Sequence, residues 1–340
     1  MDTFSQPCDR ILIPLDGSAR AEEAILHAQV LAASNAQLIL LHVLPPAEAV
    51  RNSIGAVVVS ADDVFAQCRR LAKQNLARAA EAFRGLRTGL VVDTEIAVGD
   101  PVVEILRVAA ERGVDLIAMV SHGRTDDDGL AFSSVVDRVT RSTNRATLIV
   151  HPHGGADQTT STTIRRLVVP LDGSAISTKA LLVAQQFARR LDLSIRLVNV
   201  VDPVRDAPPS QVYQTDNHTS IVDQLIARRR LNAHQMLEQV GARLMRDGIS
   251  ATWEVLVGPT VARITETTRP GDIVVLTSHG RTGNGQWPLG GTAEALARRC
   301  TVPIVLLRAE IETSTMPRPV ADIPIAMPLL QHSDHGVSLA

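Results

Sequence analysis

One six-residue stretch occurs twice in this 340-residue chain, and it constrains the fold more than any other feature. Pro14-Leu15-Asp16-Gly17-Ser18-Ala19 returns unchanged at positions 170–175. Each copy follows a short apolar run and precedes an alanine-rich segment whose apolar residues recur every three or four positions, as in an amphipathic helix. The sequence therefore predicts a strand, a tight Asp-Gly-Ser turn and a helix, all in duplicate.

The same order of elements continues beyond the turn in both halves. Asp172 follows Asp16 by 156 residues, and a second repeated segment, Ser-His-Gly-Arg-Thr, places His279 157 residues after His122. Apolar strand patterns alternate with helix patterns, which predicts parallel sheets covered on both faces. We expect an α/β fold class of two doubly wound, Rossmann-like domains, each a five-stranded parallel sheet with helices on both faces.

Composition predicts the domain boundaries. Residues 152–164 are rich in Gly, Ser and Thr, which is typical of a linker. Residues 309–340 carry repeated prolines and lose periodicity, which predicts a disordered tail. The predicted domains are therefore residues 1–151 and 165–308, with loops at 47–60 and 202–219.

Composition also argues against several classes of protein. The net charge of −2 gives no basic field for binding nucleic acid or anionic membranes. The three cysteines lack any C-x-x-C spacing and fit reduced thiols better than a disulfide framework or a zinc site. The apolar runs are too short to span a membrane, and Met1 to Arg10 carries no apolar signal segment. We therefore expect a cytoplasmic protein.

The repeated polar segments fall where a doubly wound sheet binds ligands, beyond the carboxyl ends of its strands. In the second copy, a glycine-rich loop follows the fourth strand and leads into a helix near Thr292. Glycines let backbone N–H groups approach an anion, and a helix N-terminus adds a favourable dipole. The sequence predicts a phosphate-binding loop here, although it lacks both G-x-x-x-x-G-K-S/T and G-x-G-x-x-G.

Together with the strand-one aspartate, this pattern resembles the universal stress protein family over residues 9–151 and 165–308, as a tandem pair. Nucleotide-binding members of that family carry Gly, two residues, Gly, nine residues, Gly, then Ser or Thr. The second copy has Thr277, Gly280, Gly290 and Gly291 at these four positions, with Thr292 beside the last. The first copy has Val120, Gly123, Ser133 and Ser134. Both copies depart from the pattern, the first more than the second.

The resemblance implies a ligand, ATP with magnesium, and a set of site residues. The aspartate would contact the adenosine part of the nucleotide, and a valine at the end of strand two would contact the base through its backbone. The implied nucleotide-binding residues are Asp172, Val200, Gly280, Arg281, Gly283, Gly290, Gly291 and Thr292 in the second copy, and Asp16, Val43, Gly123, Ser133 and Ser134 in the first.

The two copies are expected to differ in affinity. The first copy carries three aspartates, residues 126–128, in the loop that would hold phosphate. A carboxylate about 4 Å from a phosphate charge repels it by about 1 kcal/mol in water and about 4 near a protein surface. We therefore expect the second copy to bind ATP and the first to bind it weakly or not at all. A solvated acidic turn without any such role is the alternative for these aspartates.

Other local interpretations stay open at this point. Asp16 and Asp172 would also suit a helix cap, and His122 and His279 would shape the loop or act as general bases. Trp253 and Trp287 fit packing better than stacking on a base. The sequence offers no partner spacing for a hydrolytic site, so we assign no catalytic residue and no metal site.

The predicted function is therefore nucleotide binding in stress response or regulation, with at most slow ATP hydrolysis. Two alternatives remain, a nucleotide-independent protein-interaction module of the same fold and an ATP-hydrolysing or adenylate-forming enzyme. The resemblance also implies an intramolecular pseudo-dimer in which Thr147 to Val150 pairs with Val302 to Leu307. The sequence leaves open the protein partners, the stress involved and any further homodimer.

Overall fold

The computed structural model describes residues 8–84, 89–121, 133–151, 163–206, 218–278 and 291–308. The elements of the first copy are β1 (Arg10–Pro14), α1 (Ala19–Leu31), β2 (Gln37–Leu44), β3 (Val50–Arg51), β4 (Val57–Val59), α2 (Ala61–Arg84), β5 (Val91–Val98), α3 (Pro101–Glu111), β6 (Leu116–Val120), α4 (Ser134–Ser142) and β7 (Ala146–Val150). Those of the second are β8 (Arg166–Pro170), α5 (Ala175–Leu191), β9 (Ser194–Val201), α6 (Pro203–Asp206), α7 (His218–Arg246), β10 (Ala251–Val257), α8 (Thr260–Thr267), β11 (Asp272–Ser278), α9 (Gly291–Arg299) and β12 (Ile304–Arg308).

Both copies contribute to one ten-stranded sheet, in the order β10-β9-β8-β11-β12-β7-β6-β1-β2-β5. Neighbouring strands are parallel within each copy, and the chain reverses its direction across the sheet after β5 and again after β10. This is the doubly wound α/β arrangement that the alternation of apolar runs and helices predicts.

The two copies join through their last strands. β7 and β12 pair antiparallel, with Thr147 opposite Leu306 and Ile149 opposite Ile304. The predicted seam is therefore confirmed. Because this pairing is antiparallel, the carboxyl ends of the strands point in opposite directions in the two copies. The two candidate sites consequently lie at opposite edges of the sheet.

Apolar side chains bury both faces of the sheet. Helices α1, α2, α5 and α7 cover one face and share a single cluster of buried residues with alternate side chains of the strands. Helices α3, α4, α8 and α9 cover the other face in the same way. Equivalent helices of the two copies lie on the same face, so a pseudo-two-fold axis runs perpendicular to the sheet at the seam.

Four charged side chains link the copies on the second of these faces. Within α4, the Arg141 Nη2 atom lies 2.8 Å from the Asp137 Oδ1 atom. Within α9, the Arg298 Nη2 atom lies 3.0 Å from the Glu294 Oε1 atom. Between the helices, Arg141 lies 3.5 Å from Glu294 and Arg298 lies 3.8 Å from Asp137. We call these four residues the seam ion-pair ring. Each copy supplies one acid and one base at equivalent positions.

Two regions predicted as loops contain short elements. In the first copy, β3 and β4 pair antiparallel, and the side-chain oxygen of Asn52 accepts the backbone N–H groups of Ile54 and Ala56 at 3.1 and 2.9 Å. In the second copy, α6 occupies residues 203–206. Sequence periodicity missed both because segments of two to four residues show no period. Most of the predicted linker, residues 152–162, and all of the predicted tail, residues 309–340, lie outside the described residues.

Helix length and composition also bear on membrane association. None of the helices in the described ranges combines the length and the apolar character that a transmembrane span requires.

Candidate functional site

The repeated turn has the same hydrogen bonds in both copies. The Asp172 Oδ1 atom accepts the backbone N–H of Ser174 at 3.0 Å, and the Ser174 hydroxyl oxygen accepts the N–H of Ser177 at 3.1 Å. Ser174 is thus the N-cap of α5. In the first copy, the Asp16 Oδ1 atom accepts the N–H of Ser18 at 2.9 Å, and the Ser18 hydroxyl oxygen accepts the N–H of Ala21 at 3.2 Å. The alternative in which the aspartate itself caps the helix is therefore wrong, because the aspartate instead holds the serine that does.

The turn depends on its glycine. Gly173 has φ +84° and Gly17 has φ +83°, in the left-handed region that residues with a side chain rarely adopt. The glycine reverses the chain between the strand and the helix. Asp172 is consequently left exposed at the end of β8, rather than packed beneath the helix.

Asp172 is held in its ionised form. Partial burial acts to raise the pKa of this carboxyl, but hydrogen bonds from Ser174, and then from Ser177, outweigh burial and lower the pKa below its ordinary value. The group therefore carries a full negative charge at neutral pH. An ionised carboxylate only accepts hydrogen bonds, so it suits a ligand that presents hydroxyl or N–H groups.

A cavity of about 520 Å³ lies at the carboxyl ends of β8, β9 and β11 in the second copy. Its walls include the turn after β8, the end of β9 and the first residues of α9. Among the residues that line it are Asp172, Asn199, Val200, Asp202, Gly291 and Thr292. The four predicted residues among them, Asp172, Val200, Gly291 and Thr292, are distant in sequence and are brought together only by the sheet.

Sequence reasoning did not assign three polar residues to the lining of this cavity. The Asn199 amide donates to the Leu171 carbonyl at 2.7 Å, and the Thr277 hydroxyl donates to the Ile176 carbonyl at 2.7 Å. Asp202 is only 8% exposed, and its Oδ1 atom accepts the N–H of Val204 at 3.1 Å. In the sequence, these residues share one recognisable feature: each is a polar residue at or just beyond the end of an apolar strand. These bonds fix the cavity walls in place.

The corresponding edge of the first copy is built differently. Pro14 pairs with Leu41 and Pro170 pairs with Val198, so His42 occupies the position of Asn199, and Val43 that of Val200. A Cβ atom on Gly17 would lie 3.8 Å from the His42 ring and 3.3 Å from the Asn75 amide. Beside the first-copy turn lie His42, where the second copy has Asn199, and Asn75, where the second copy has Met236. Ser133 donates its N–H to the Ser121 carbonyl at 2.8 Å, and Ser134 begins α4.

Several predicted residues cannot be placed. Those outside the described residues are Gly123, Gly280, Arg281, Gly283, Gly290, His122, His279, Trp287 and the aspartates at 126–128. Across the described ranges, no three histidine, cysteine or acidic side chains cluster as metal ligands would. Trp253 packs against α7, as predicted. Its ring lies so close to Gly241 that a Cβ atom added to this glycine would be 2.4 Å from it.

Comparisons with known proteins agree with this architecture. The model of the universal stress protein family matches residues 7–151 and 163–308. The universal stress protein MJ0577 of Methanocaldococcus jannaschii is 27% identical over 151 residues, which cover 42% of this chain and 93% of that protein. A solved universal stress protein from Archaeoglobus fulgidus is 19% identical, with a TM-score of 0.61, and covers 88% of this chain and 98% of its own. Another, solved in complex with cAMP, is 22% identical with a TM-score of 0.31 and covers 43% of this chain and 98% of its own.

Proposed function

Because the chain belongs to the universal stress protein family, we propose that its second copy binds ATP with magnesium and that its first copy binds weakly or not at all. The observation that carries the proposal is the cavity of about 520 Å³ that joins Asp172, Val200 and Gly291. Its volume lies within the roughly 300–1,000 Å³ typical of small-molecule sites. Its position at the carboxyl ends of the strands is where doubly wound sheets bind ligands.

Each part of the nucleotide has a counterpart in the cavity. The Asp172 carboxylate is a hydrogen-bond acceptor for the ribose hydroxyls. Val200, at the end of β9, offers backbone groups to the edge of the base. Gly291 and Thr292 lie in the first turn of α9, where the helix dipole and the backbone N–H groups favour phosphate. Magnesium would arrive with the triphosphate, since Mg²⁺ is commonly held by phosphates and water with few protein ligands.

The asymmetry between copies follows from the same residues. In the first copy, the His42 ring stands in the place of Asn199 beside the turn that carries Asp16. Moreover, the sequence before α4 carries three aspartates, residues 126–128, whose charge opposes phosphate. Both features disfavour a triphosphate in the first copy.

Binding rather than catalysis is the proposed role, as a cytoplasmic regulator or stress-response protein. None of the described residues that line the cavity is a histidine, cysteine or lysine. The candidate bases among these residues are Asp172 and Asp202, and both already accept backbone N–H groups, of Ser174 and Val204, that hold the cavity wall. We treat residues 1–151 and 165–308 as the domains, joined by the linker 152–164.

The proposal is tested by calorimetric titration of the full chain with Mg-ATP. The full chain is needed because separate halves would expose β7 and β12 as unpaired strand edges. Asp172→Ala and Asp16→Ala remove the same turn hydrogen bond in the two copies, so each is the structural control for the other. We expect one ATP per chain, a loss of affinity in Asp172→Ala, and none in Asp16→Ala. Equal effects of the two substitutions would contradict the asymmetry, and no binding at all would contradict the function.

Two measurements separate the rival functions. Mass spectrometry of small molecules released on denaturation detects nucleotide that stays bound through purification. Release of AMP, or substantial turnover to ADP, would favour an adenylate-forming or ATP-hydrolysing enzyme. A protein that neither retains nor binds nucleotide would be an interaction module.

A further inference from the structure

A second cavity lies beside the first, between helices α5 and α7. Its volume is about 250 Å³, and we call it the α5–α7 groove. Leu181 and Leu182 of α5 face Met236 and Val240 of α7 across it. Leu182 is 55% exposed, although leucine is ordinarily buried. The middle of the groove is therefore apolar and open to solvent.

The groove has one polar, cationic end. Along α5, Gln185 follows Ser177 by eight residues, which is about 12 Å of helix. Along α7, Arg243 follows Met236 by seven, and a Cβ atom on Gly173 would lie 3.3 Å from the Met236 sulfur. Since both helices cross over parallel strands of one sheet, they run in the same direction. Gln185 and Arg243 thus lie together at the end remote from Gly173.

In the first copy, an ion pair spans the equivalent space between α1 and α2. Gly17 faces Asn75 as Gly173 faces Met236, so Asn75 of α2 is equivalent to Met236 of α7. Ala82, seven residues after Asn75, is then equivalent to Arg243. In the first copy, Arg78 of α2 reaches Glu22 of α1 at 2.5 Å and spans the gap between the helices. The second copy has Gln239 and Thr178 at these positions. The bridging ion pair is therefore lost from the second copy.

Charge then defines the ligand. Among the described residues, ten line the groove; none of these ten is acidic, and Arg243 is the one cation among them. The carboxylate of Asp247, the residue after the end of α7, lies 3.4 Å from Arg189 and so is paired with a different arginine. An arginine and an amide at the end of an apolar channel match a carboxylate on a hydrocarbon tail.

We propose that the α5–α7 groove binds a small amphipathic carboxylate, such as a medium-chain fatty acid, with its carboxylate at Arg243 and its hydrocarbon between Leu181, Leu182, Met236 and Val240. Burial of the methylene groups between these apolar side chains supports binding. The groove adjoins the nucleotide cavity, with Leu171 and Ser177 in the lining of both, and the proposal does not depend on nucleotide binding.

Octanoate is the probe, with octanol and octylamine as matched controls of the same chain length. Ligand-observed NMR and calorimetry on the full chain measure binding. We expect octanoate to bind more tightly than octanol, and octylamine to bind least. Arg243→Gln should weaken octanoate about tenfold or more, since it removes a charge-assisted hydrogen bond, and leave octanol unchanged.

Two further variants keep the result interpretable. Arg246→Gln removes an exposed arginine from the same helix turn that does not line the groove, and should leave octanoate binding unchanged. Leu182→Asp adds a carboxylate at an exposed position, so it should abolish octanoate binding while the thermal unfolding temperature stays close to that of the original protein. The proposal is overturned if octanol binds as well as octanoate, if Arg246→Gln weakens octanoate as much as Arg243→Gln does, or if octanoate fails to bind.

Discussion

The substitution Gly291→Asp separates phosphate binding from protein stability, because it should move the two in opposite directions. Gly291 is the first residue of α9 and lines the nucleotide cavity. A Cβ atom added here meets no atom within 4 Å, and the backbone is not in the left-handed region. The side chain of aspartate can therefore be accommodated without repacking. The fold should survive the change.

The expected magnitudes follow from the position of the new charge. A carboxylate at a helix N-terminus stabilises the helix by about 0.3–1 kcal/mol. The same carboxylate, about 4 Å from a phosphate charge, repels it by about 1 kcal/mol in water and about 4 near a protein surface. The loss of ATP affinity should thus lie between about fivefold and about a thousandfold. Added salt should reduce this loss, because it screens exposed charges.

The assay compares four proteins by calorimetry with Mg-ATP and by thermal unfolding. Gly291→Asn has nearly the same shape as Gly291→Asp and no charge, so it isolates the electrostatic effect. Ser134→Asp places the same charge at the start of α4 in the first copy and should leave ATP affinity unchanged. If Gly291→Asp and Gly291→Asn are folded and bind ATP equally well, the phosphates do not lie at the N-terminus of α9.

Three further predictions concern the fold. Leu148→Ala, in the fully buried seam strand β7, should cost about 2–5 kcal/mol of unfolding free energy in urea titration, because it leaves a cavity in the cluster shared by both copies. Glu294→Gln and Arg141→Gln, combined in a double-mutant cycle, should show a coupling of about 1 kcal/mol that weakens in salt, because their side chains are only 14% and 16% exposed. Thiol titration with Ellman's reagent at about pH 8 should find Cys68 fast and Cys8 slow. Burial, only partly offset by Arg190, raises the pKa of Cys8 to about 12, whereas Cys68 is exposed.

Each of these has a matched control. Leu182→Ala, at a 55% exposed site, should change the unfolding free energy far less than Leu148→Ala. The exposed pair Arg107 and Glu111 should give a weaker coupling than the seam ion-pair ring. Cys68→Ser should remove the fast phase of the thiol reaction. A Leu148→Ala protein as stable as the original, an equal coupling at both ion pairs, or a fast phase that persists in Cys68→Ser would contradict the corresponding prediction.

Much of the fold followed from local patterns. The six-residue repeat predicted the duplication, and the apolar runs predicted the strands and their parallel order, because buried strands and amphipathic helices have different periods. The resemblance correctly located the seam between Thr147 to Val150 and Val302 to Leu307. The short elements α6, β3 and β4 escaped prediction, since so few residues carry no periodic signal.

The candidate site was only partly predictable. Asp172 and Gly291 could be named from the sequence because they belong to segments that follow strands whose ends meet at one edge of a parallel sheet, whereas Val200 was implied only by the resemblance to the universal stress protein family. Asn199 and Thr277 could not be identified as wall-forming residues, because each acts by a hydrogen bond to a backbone carbonyl of another element. No local pattern encodes such a contact.

The sequence by itself determined that the protein is a tandem of two similar α/β domains with the same Asp-Gly-Ser turn. Only the tertiary structure decided how the surroundings of that turn differ, with His42 and Asn75 beside Gly17 but Met236 beside Gly173. It also showed that the Glu22–Arg78 bridge has no counterpart across the α5–α7 groove. The physical reason is that a turn is set by the torsion angles of its own few residues, whereas a cavity is set by side chains that arrive from distant segments.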